Sequence, residues 1–151
     1  IIGKVVHSPI IWISSGDTQT GTLVLTAETT NATPKAATSN GASAGTTNQV
    51  ILPNNSAYAF SGTIIARQQA SGSDYASWEI KGALLRDGTA VSTVLGNGII
   101  DKLFATAGAA AWAVALTADT TNGGLAVTVT GAAATNIRWV ATVNTSEVTY
   151  A

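Results

Sequence analysis

Apolar side chains alternate strictly with polar or small ones over most of the last two-thirds of the chain. Five runs show the pattern, at residues 56–68, 74–86, 111–119, 124–131 and 136–148. In the last run Ile137, Trp139 and Val143 fall on one face. Successive side chains of a strand point to opposite faces, so this period predicts five half-buried β-strands. None of the runs has the 3.6-residue period of an amphipathic helix.

The same alternation predicts the hydrophobic core. The apolar positions expected to point inward are Phe60, Ile64, Trp78, Ile80, Trp112, Val114, Leu116, Val127, Val129, Ile137 and Trp139. A register error of one residue would move a whole set to the opposite face of its strand. Burial of these residues therefore tests both the strands and their orientation.

Turn-forming residues separate the runs. Gly, Asn, Asp and Ser are concentrated at 71–74, 87–88, 122–124 and 131–136, where they favour turns. The Asp87-Gly88 pair predicts a tight hairpin. Short strands separated by such turns indicate an all-β fold, here an antiparallel, jelly-roll-like β-sandwich of about seven to ten strands.

The first third of the chain is less regular. Residues 22–28 and 49–52 are predicted as short strands, and the polar, low-complexity stretch 29–48 as a loop.

Helix is expected at most around residues 106–111.

The apolar segment 1–14 is predicted to pack on a neighbouring subunit or to exchange a strand with it. The chain is accordingly divided into an N-terminal connecting segment, 1–20, and a β-sandwich domain, 21–151. Because the sequence begins with Ile and contains no Met, residue 1 is not expected to be the translation start.

Charge is scarce and evenly spread. Only 10% of the residues are charged, with seven basic and eight acidic side chains and a net charge of −1. No basic cluster is present to bind nucleic acid or an anionic membrane. No apolar run reaches the length of a membrane helix, so membrane insertion is not expected. The absence of Cys excludes disulfides and thiolate metal sites.

Candidate catalytic residues are few. His7 is the single histidine and is predicted to be an ordinary strand or surface residue. Paired carboxylates cleave glycans in many enzymes, which makes the acids better candidates. They are Asp17, Glu28, Asp74, Glu79, Asp87, Asp101, Asp119 and Glu147.

Local roles account for these acids without catalysis. Asp74, Asp87 and Asp119 lie at predicted turns, where Asp caps the backbone. Glu79 lies on a solvent-facing strand position beside Lys81. The chain is predicted not to be an enzyme and to have no catalytic, cofactor-binding or metal-binding residues, although acids could still meet across subunits.

The four tryptophans suggest carbohydrate binding as an alternative, because sugars stack on exposed indoles. Trp78, Trp112 and Trp139, however, lie on the apolar faces of alternating strands and are predicted to be core residues. Trp12 follows two isoleucines, and we expect it either in the core or buried against another subunit.

Four blocks in a fixed order resemble a domain found near the C-termini of phage tail-fibre and related virion proteins. They are SAYAFSGTIIARQ, SDYASWEIKGALLRDGT, AWAVALTADTTNGGLAVTVTG and NIRWVATVNTSEVTYA. The resemblance covers about residues 50–151 and, loosely, 29–34. It implies a non-enzymatic tail-fibre or receptor-binding domain located in the virion and assembled as a homotrimer. The implied partners are other virion proteins and a host cell-surface glycan or protein.

Two alternatives accompany this prediction. One is a structural head-fibre or capsid decoration domain, and a more distant one is a glycan-degrading tailspike domain. Receptor contacts are expected in the loops at 29–48, 71–74, 87–89 and 120–124, with no individual residue assigned. Ala111, Ala113 and Ala115, at outward strand positions, indicate a smooth surface that another subunit could cover.

Overall fold

Ten β-strands and two single turns of 3-10 helix form the protein, in a computed structural model that describes residues 1–9 and 11–150. Ile10, in the apolar run before Trp12, and Ala151 lie outside the described residues. The strands are β1 (Val5–His7), β2 (Thr18–Thr29), β3 (Lys35–Ala36), β4 (Val50–Ile51), β5 (Ser56–Gln68), β6 (Tyr75–Arg86), β7 (Val94–Ala105), β8 (Ala113–Asp119), β9 (Gly124–Thr130) and β10 (Ile137–Thr149). The described part of the chain contains no helix long and apolar enough to cross a membrane.

The strands form two sheets in which every pairing is antiparallel. The larger sheet has the order β1-β2-β10-β5-β6-β7. In the smaller sheet β9 is central, with β8 on one edge and the short strands β3 and β4 sharing the other. The predicted all-β, antiparallel class is therefore confirmed.

One hydrophobic core fills the space between the sheets. All eleven predicted core residues belong to it: Val114 and Leu116 are half-buried, and the other nine are buried. The predicted orientation of the five alternating strands is thereby confirmed. Leu25 on β2 and Val143 on β10 complete the same layer.

Three tryptophans lie at the centre of this core. The Trp139 ring on β10 stacks on Trp78, with 5.5 Å between ring centroids, and contacts Trp112 at 5.9 Å. Its indole Nε1 donates a hydrogen bond of 2.9 Å to Thr29 Oγ1 on β2. Each of the three rings is only 1% exposed, so none of them is available to stack on a sugar.

The N-terminal segment pairs within its own chain. Val5–His7 forms an edge strand against residues 20–22 of β2. Strand β2 itself runs continuously from Thr18 to Thr29, across the predicted boundary at residue 20. The described part of the segment is therefore continuous with the larger sheet.

Beyond β3, the chain connects the two sheets. The Ala37 N–H donates to the Val127 carbonyl of the smaller sheet at 2.8 Å. Thr38 exchanges two backbone hydrogen bonds with Thr26 of the larger sheet, at 2.8 and 3.0 Å. The sandwich is therefore closed along this side, within the stretch predicted as a loop.

Strand β7 was not predicted. Gly96-Asn97-Gly98 has the residue types of a turn, but it lies inside this twelve-residue strand. The pairing with β6 shifts register between Lys81 and Ala83, and Asn97 has a φ of 54°. The turn-forming residues here produce a β-bulge within the strand.

One further local prediction needs correction. The connection from β6 to β7 spans residues 87–93 and contains the 3-10 turn Ala90–Ser92, so Asp87-Gly88 does not form a tight hairpin. The segment 106–111, where helix was expected at most, contains the single 3-10 turn Ala107–Ala109.

The connectivity is that of a jelly roll only in part. The last strand, β10, lies between β2 and β5, as a strand returning in a Greek key does. Strands β5, β6 and β7, by contrast, follow one another as a meander within one sheet. A jelly roll made of two Greek keys would take such strands into both sheets.

At one end of the sandwich, Arg86 hydrogen-bonds to the segment between β4 and β5. Its Nη1 donates to the Leu52 carbonyl at 2.6 Å, and its Nε donates to Asn54 Oδ1 at 2.9 Å. Gly123, in the β8–β9 turn, has a φ of +83°, and a Cβ at this position would overlap with the Arg86 guanidinium. Gly123 therefore permits both the turn and the position of Arg86.

Replacing Gly123 by Ala is expected to lower the free energy of unfolding by about 2–4 kcal/mol. A left-handed backbone costs a non-glycine residue about 1–2 kcal/mol, and displacing Arg86 removes hydrogen bonds of about 1 kcal/mol each. Urea unfolding followed by tryptophan fluorescence measures the change. Gly88→Ala is the matched control, because a Cβ there meets nothing within 4 Å. If both variants are equally stable, the proposed role of Gly123 is wrong.

Candidate functional site

Short, uncharged side chains cover most of the outward face of the larger sheet. One row across four strands consists of Thr20, Ser146, Ala59 and Ala83. Such a surface offers little electrostatic or aromatic recognition. A concentration of charge and aromatic rings on this face is therefore a notable feature.

One end of the face has this concentration. Arg138 on β10 lies directly opposite Glu28 on β2 and Arg67 on β5, and Arg67 lies opposite Tyr75 on β6. We refer to these four residues as the arginine–tyrosine row. Two of the three arginines in the chain are thus neighbours. The row exists because β10 is paired on both sides, in a register fixed by its buried alternate residues.

The two guanidinium groups differ in their partners. Arg138 Nε donates to Glu28 Oε2 at 3.1 Å, and the two side chains are 84% and 52% exposed. Arg67 Nη1 donates to the Gln68 carbonyl at 3.0 Å. Within residues 1–9 and 11–150, no carboxylate lies within ion-pair distance of Arg67. The row therefore presents one guanidinium that lacks a carboxylate partner.

Like charges opposite each other on neighbouring strands destabilise a sheet. The Arg67–Arg138 pair has that arrangement, and Glu28 offsets only part of the repulsion. An anion placed between the Arg67 and Arg138 guanidinium groups would relieve this repulsion, so the arrangement favours anion binding.

An aromatic pair continues the row. The Tyr75 ring packs against Phe104 of β7, with 5.1 Å between centroids and 31° between ring planes. The two side chains are 44% and 49% exposed. Thr106 holds the Tyr75 backbone by accepting its N–H at Oγ1 (3.2 Å) and donating N–H to its carbonyl (3.1 Å). This exposed apolar surface is of the kind on which sugar rings stack.

A cleft of about 460 Å³ lies beside the row. Its walls include Glu28, Arg67, Gln68, Gln69, Asn136 and Arg138. Asn136 Nδ2 donates to Gln69 Oε1 at 2.8 Å, which fixes the two amides against each other. Amide and guanidinium groups together supply the donors and acceptors that polar ligands require.

The predicted receptor loops separate between the two ends of the sheet. The 71–74 loop joins β5 to β6 at the end that carries the row, and the 29–48 stretch starts there. The 87–89 and 120–124 loops lie at the opposite end, where Arg86 contacts both Leu52 and Gly123. Receptor contacts were predicted in loops, whereas all four residues of the arginine–tyrosine row lie on strands.

Two acids cap loops: Asp119, as predicted, and Asp17, for which the sequence predicted no such role. Asp17 accepts the backbone N–H groups of Trp12, Ile13 and Ser14 at 2.6–3.1 Å. These hydrogen bonds, led by that from Ile13, lower the pKa of the Asp17 carboxyl. Asp119 accepts N–H groups from its own turn in the same way.

The remaining acids do not form an enclosed pair. Glu79 is exposed beside Lys81, as predicted, and its cross-strand neighbour is Asp101, which is also exposed. His7 is exposed on the edge strand β1. Among the described residues no group of three or more His, Asp or Glu side chains is placed to hold a metal ion. A glycosidase acid is usually kept protonated by an apolar environment, which exposed residues lack.

Glu147 occupies an environment that sequence reasoning missed. Its side chain is buried on the inner face of β10, where Lys4 Nζ approaches Oε1 at 2.5 Å and Gln19 Nε2 donates to Oε2 at 2.5 Å. Thr145 donates a further hydrogen bond to the carboxylate. The Lys4 ammonium also lies over the Tyr58 ring, 5.2 Å from its centroid. These contacts tie the N-terminal segment to the last strand.

Trp12 is 62% exposed, on the connection between β1 and β2. Ile11 and Ile13 beside it are exposed as well, and Asp17 holds the backbone that presents them. Trp12 is therefore not a core residue of its own chain. Burial against another subunit stays a prediction.

Comparison with known proteins adds little to this description. No protein-family model matches the chain, and no curated protein sequence matches it. Among solved structures, the tailspike protein of the Acinetobacter phage vB_ApiP_P1 is similar, with 11% sequence identity and a TM-score of 0.36 over 89% of this chain. The match covers only 23% of the tailspike chain. A similarity of this size carries no argument about function.

Stability is expected to fall on acidification because of Glu147. Burial raises the pKa of this carboxyl, but hydrogen bonds from Lys4, Thr145 and Gln19 outweigh burial and hold the pKa below the ordinary value of 4.5. A lowered pKa in the folded state means that this stabilisation is complete above the ordinary pKa. It is lost as the pH falls through the lower folded value.

Glu147→Gln is expected to remove this part of the pH dependence. The substitution is also expected to lower the free energy of unfolding at pH 7 by about 3 kcal/mol, because Lys4 loses a buried partner. Urea unfolding at a series of pH values measures both effects. The exposed Glu79→Gln is the control and should leave both unchanged. An unaltered pH profile in Glu147→Gln would contradict the assignment.

Proposed function

We propose that this chain is a non-enzymatic domain of a phage virion, in a tail fibre or another surface appendage, that attaches to the host cell surface. The virion assignment rests on the resemblance of the four sequence blocks to tail-fibre domains. The observation that carries the attachment function is the arginine–tyrosine row with Phe104, where charged and aromatic side chains lie together on the outward face of the larger sheet. Arginine and tyrosine are among the residue types most enriched as anchors of binding surfaces.

Attachment fits the chemistry of the described residues better than catalysis does. The chain has one histidine and no cysteine, and His7 lies exposed on an edge strand. Glu147 is buried, and its carboxylate is occupied by Lys4, Gln19 and Thr145. A nucleophile, a base and a group that orients the base are not brought together.

The outer face of the smaller sheet favours assembly as a second role. Ala113, Ala115 and Thr117 on β8 lie opposite Thr130, Thr128 and Ala126 on β9. These side chains are short and uncharged, so another protein surface could approach closely. We propose that this face packs against a second copy of the chain or another virion protein. As the main role, the same contact would make the domain a head-fibre or capsid decoration.

Self-association, as a homotrimer, would strengthen attachment. Three copies present three arginine–tyrosine rows, and linked sites bind a multivalent surface far more tightly than one site does. The two faces are separated by the core, so assembly and attachment do not compete for the same surface.

Attachment is tested by adding purified domain to host cells. Replacing both Tyr75 and Phe104 by Ala is expected to reduce the amount bound by about tenfold, since stacking on an aromatic pair is worth about 1–2 kcal/mol. Leu85→Ala is the control, because Leu85 is similarly exposed at the opposite end of the same sheet. Equal loss in both variants would place attachment elsewhere, and absence of binding by the unmodified domain would favour the decoration role.

Self-association through the smaller sheet is tested with Ala115→Arg. A charged side chain at the centre of the Ala/Thr face is expected to shift the trimer to monomer, because it cannot be desolvated without a partner. Light scattering at micromolar concentration gives the mass. Ala83→Arg, at an exposed position of the larger sheet, should remain trimeric. A monomeric mass for the unmodified chain would contradict the proposal.

A further inference from the structure

We propose that the arginine–tyrosine row binds an acidic sugar of a surface polysaccharide, with its carboxylate between Arg67 and Arg138 and its ring on Tyr75 and Phe104. This inference rests on the proposed attachment function and specifies its ligand. Its basis is the direct cross-strand placement of the two arginines and of Arg67 and Tyr75.

The two guanidinium groups can meet one carboxylate. Residues directly opposite on antiparallel strands have Cβ atoms about 5 Å apart, and both side chains point outward here. Guanidinium binds a carboxylate through parallel N–H donors, which adds geometry to the charge attraction. Arg67 makes the main contact with the carboxylate of the sugar, because Arg138 already donates to Glu28.

The neighbouring groups match a sugar better than a bare anion. The packed Tyr75 and Phe104 rings, tilted by 31° to each other, lie next to Arg67 in the direction of β7. On the other side, the cleft offers the amides of Gln68, Gln69 and Asn136. A sugar acid has all three complementary parts, namely a carboxylate, an apolar ring face and hydroxyl groups.

Glu28 makes the proposal sharply testable. Its carboxylate occupies Arg138 in the structure and would compete with the carboxylate of the ligand. Removing the Glu28 charge should therefore strengthen binding, whereas a purely structural ion pair predicts no gain in affinity.

The probe is hexagalacturonate, titrated into the full chain at low salt by calorimetry. Arg67→Gln is expected to weaken binding by about tenfold, and Glu28→Gln to strengthen it by about threefold. Lys81→Gln is the matched control and should change affinity by less than about twofold. Like Arg67→Gln, this substitution removes one positive charge from the outward face, but about 20 Å along the sheet from the arginine–tyrosine row.

Two further ligands test separately the contributions of the carboxylate and of the sugar ring. Methyl-esterified hexagalacturonate keeps the rings but lacks the charge, and inorganic phosphate keeps charge but has no ring. Both are expected to bind at least about tenfold more weakly than hexagalacturonate. Equal binding of the ester, or of phosphate, would overturn the proposal, and so would an unchanged affinity in Arg67→Gln.

The result for host cells is independent of the result for the probe. If the chain attaches to host cells but Arg67→Gln and Glu28→Gln leave that attachment and hexagalacturonate binding unchanged, the acidic-sugar inference fails and the attachment function stands. If hexagalacturonate binds as expected but host cells do not, the inference stands and the attachment function fails.

Discussion

The indole of Trp139 is the contact on which the rest of the structure depends. It stacks on Trp78 of the larger sheet, contacts Trp112 near the start of β8, and donates its only N–H to Thr29. Trp139 lies on β10, which is paired on both sides and therefore sets the register of β2 and β5. Because side chains alternate along a strand, burial of Trp139 forces Arg138 outward. The position of the exposed row is thus a consequence of the core.

Alternation was sufficient to predict the strands that have one buried face. The predicted runs 56–68 and 124–131 agree with β5 and β9 to within one residue at each end. Strand β7 carries no such signal, because it is an edge strand exposed over nearly all of its length and interrupted by a bulge. Its apolar residues Ile99 and Ile100 point to opposite faces, so they resemble neither period. A strand that buries neither face leaves no periodic pattern in the sequence.

The candidate site and the buried Lys4–Glu147 ion pair could not be predicted from the sequence for a related reason. Arg67 and Arg138 belong to different runs, and only the register of β5 against β10 makes them neighbours. The environment of Glu147 likewise depends on Lys4, which comes from the other end of the chain. Glu147 is in phase with Val143 along the alternating run, but its charge made it resemble a solvated residue, and its burial was not predicted. Pairings between distant segments determine both features, and local patterns contain no information about them.

Scarce charge shapes how such a surface can recognise a partner. With a net charge of −1 and charged residues at only 10% of the chain, the domain has little long-range field to steer a charged ligand. Salt screens isolated exposed charges beyond about 8–10 Å, so the Arg67–Arg138 pair acts only on groups in near contact. Under the proposed function, affinity must then come from directional hydrogen bonds, ring stacking and, in the proposed trimer, repeated copies of the site. Strand-borne residues suit this requirement, since paired strands hold guanidinium and ring at fixed spacing more rigidly than a loop does.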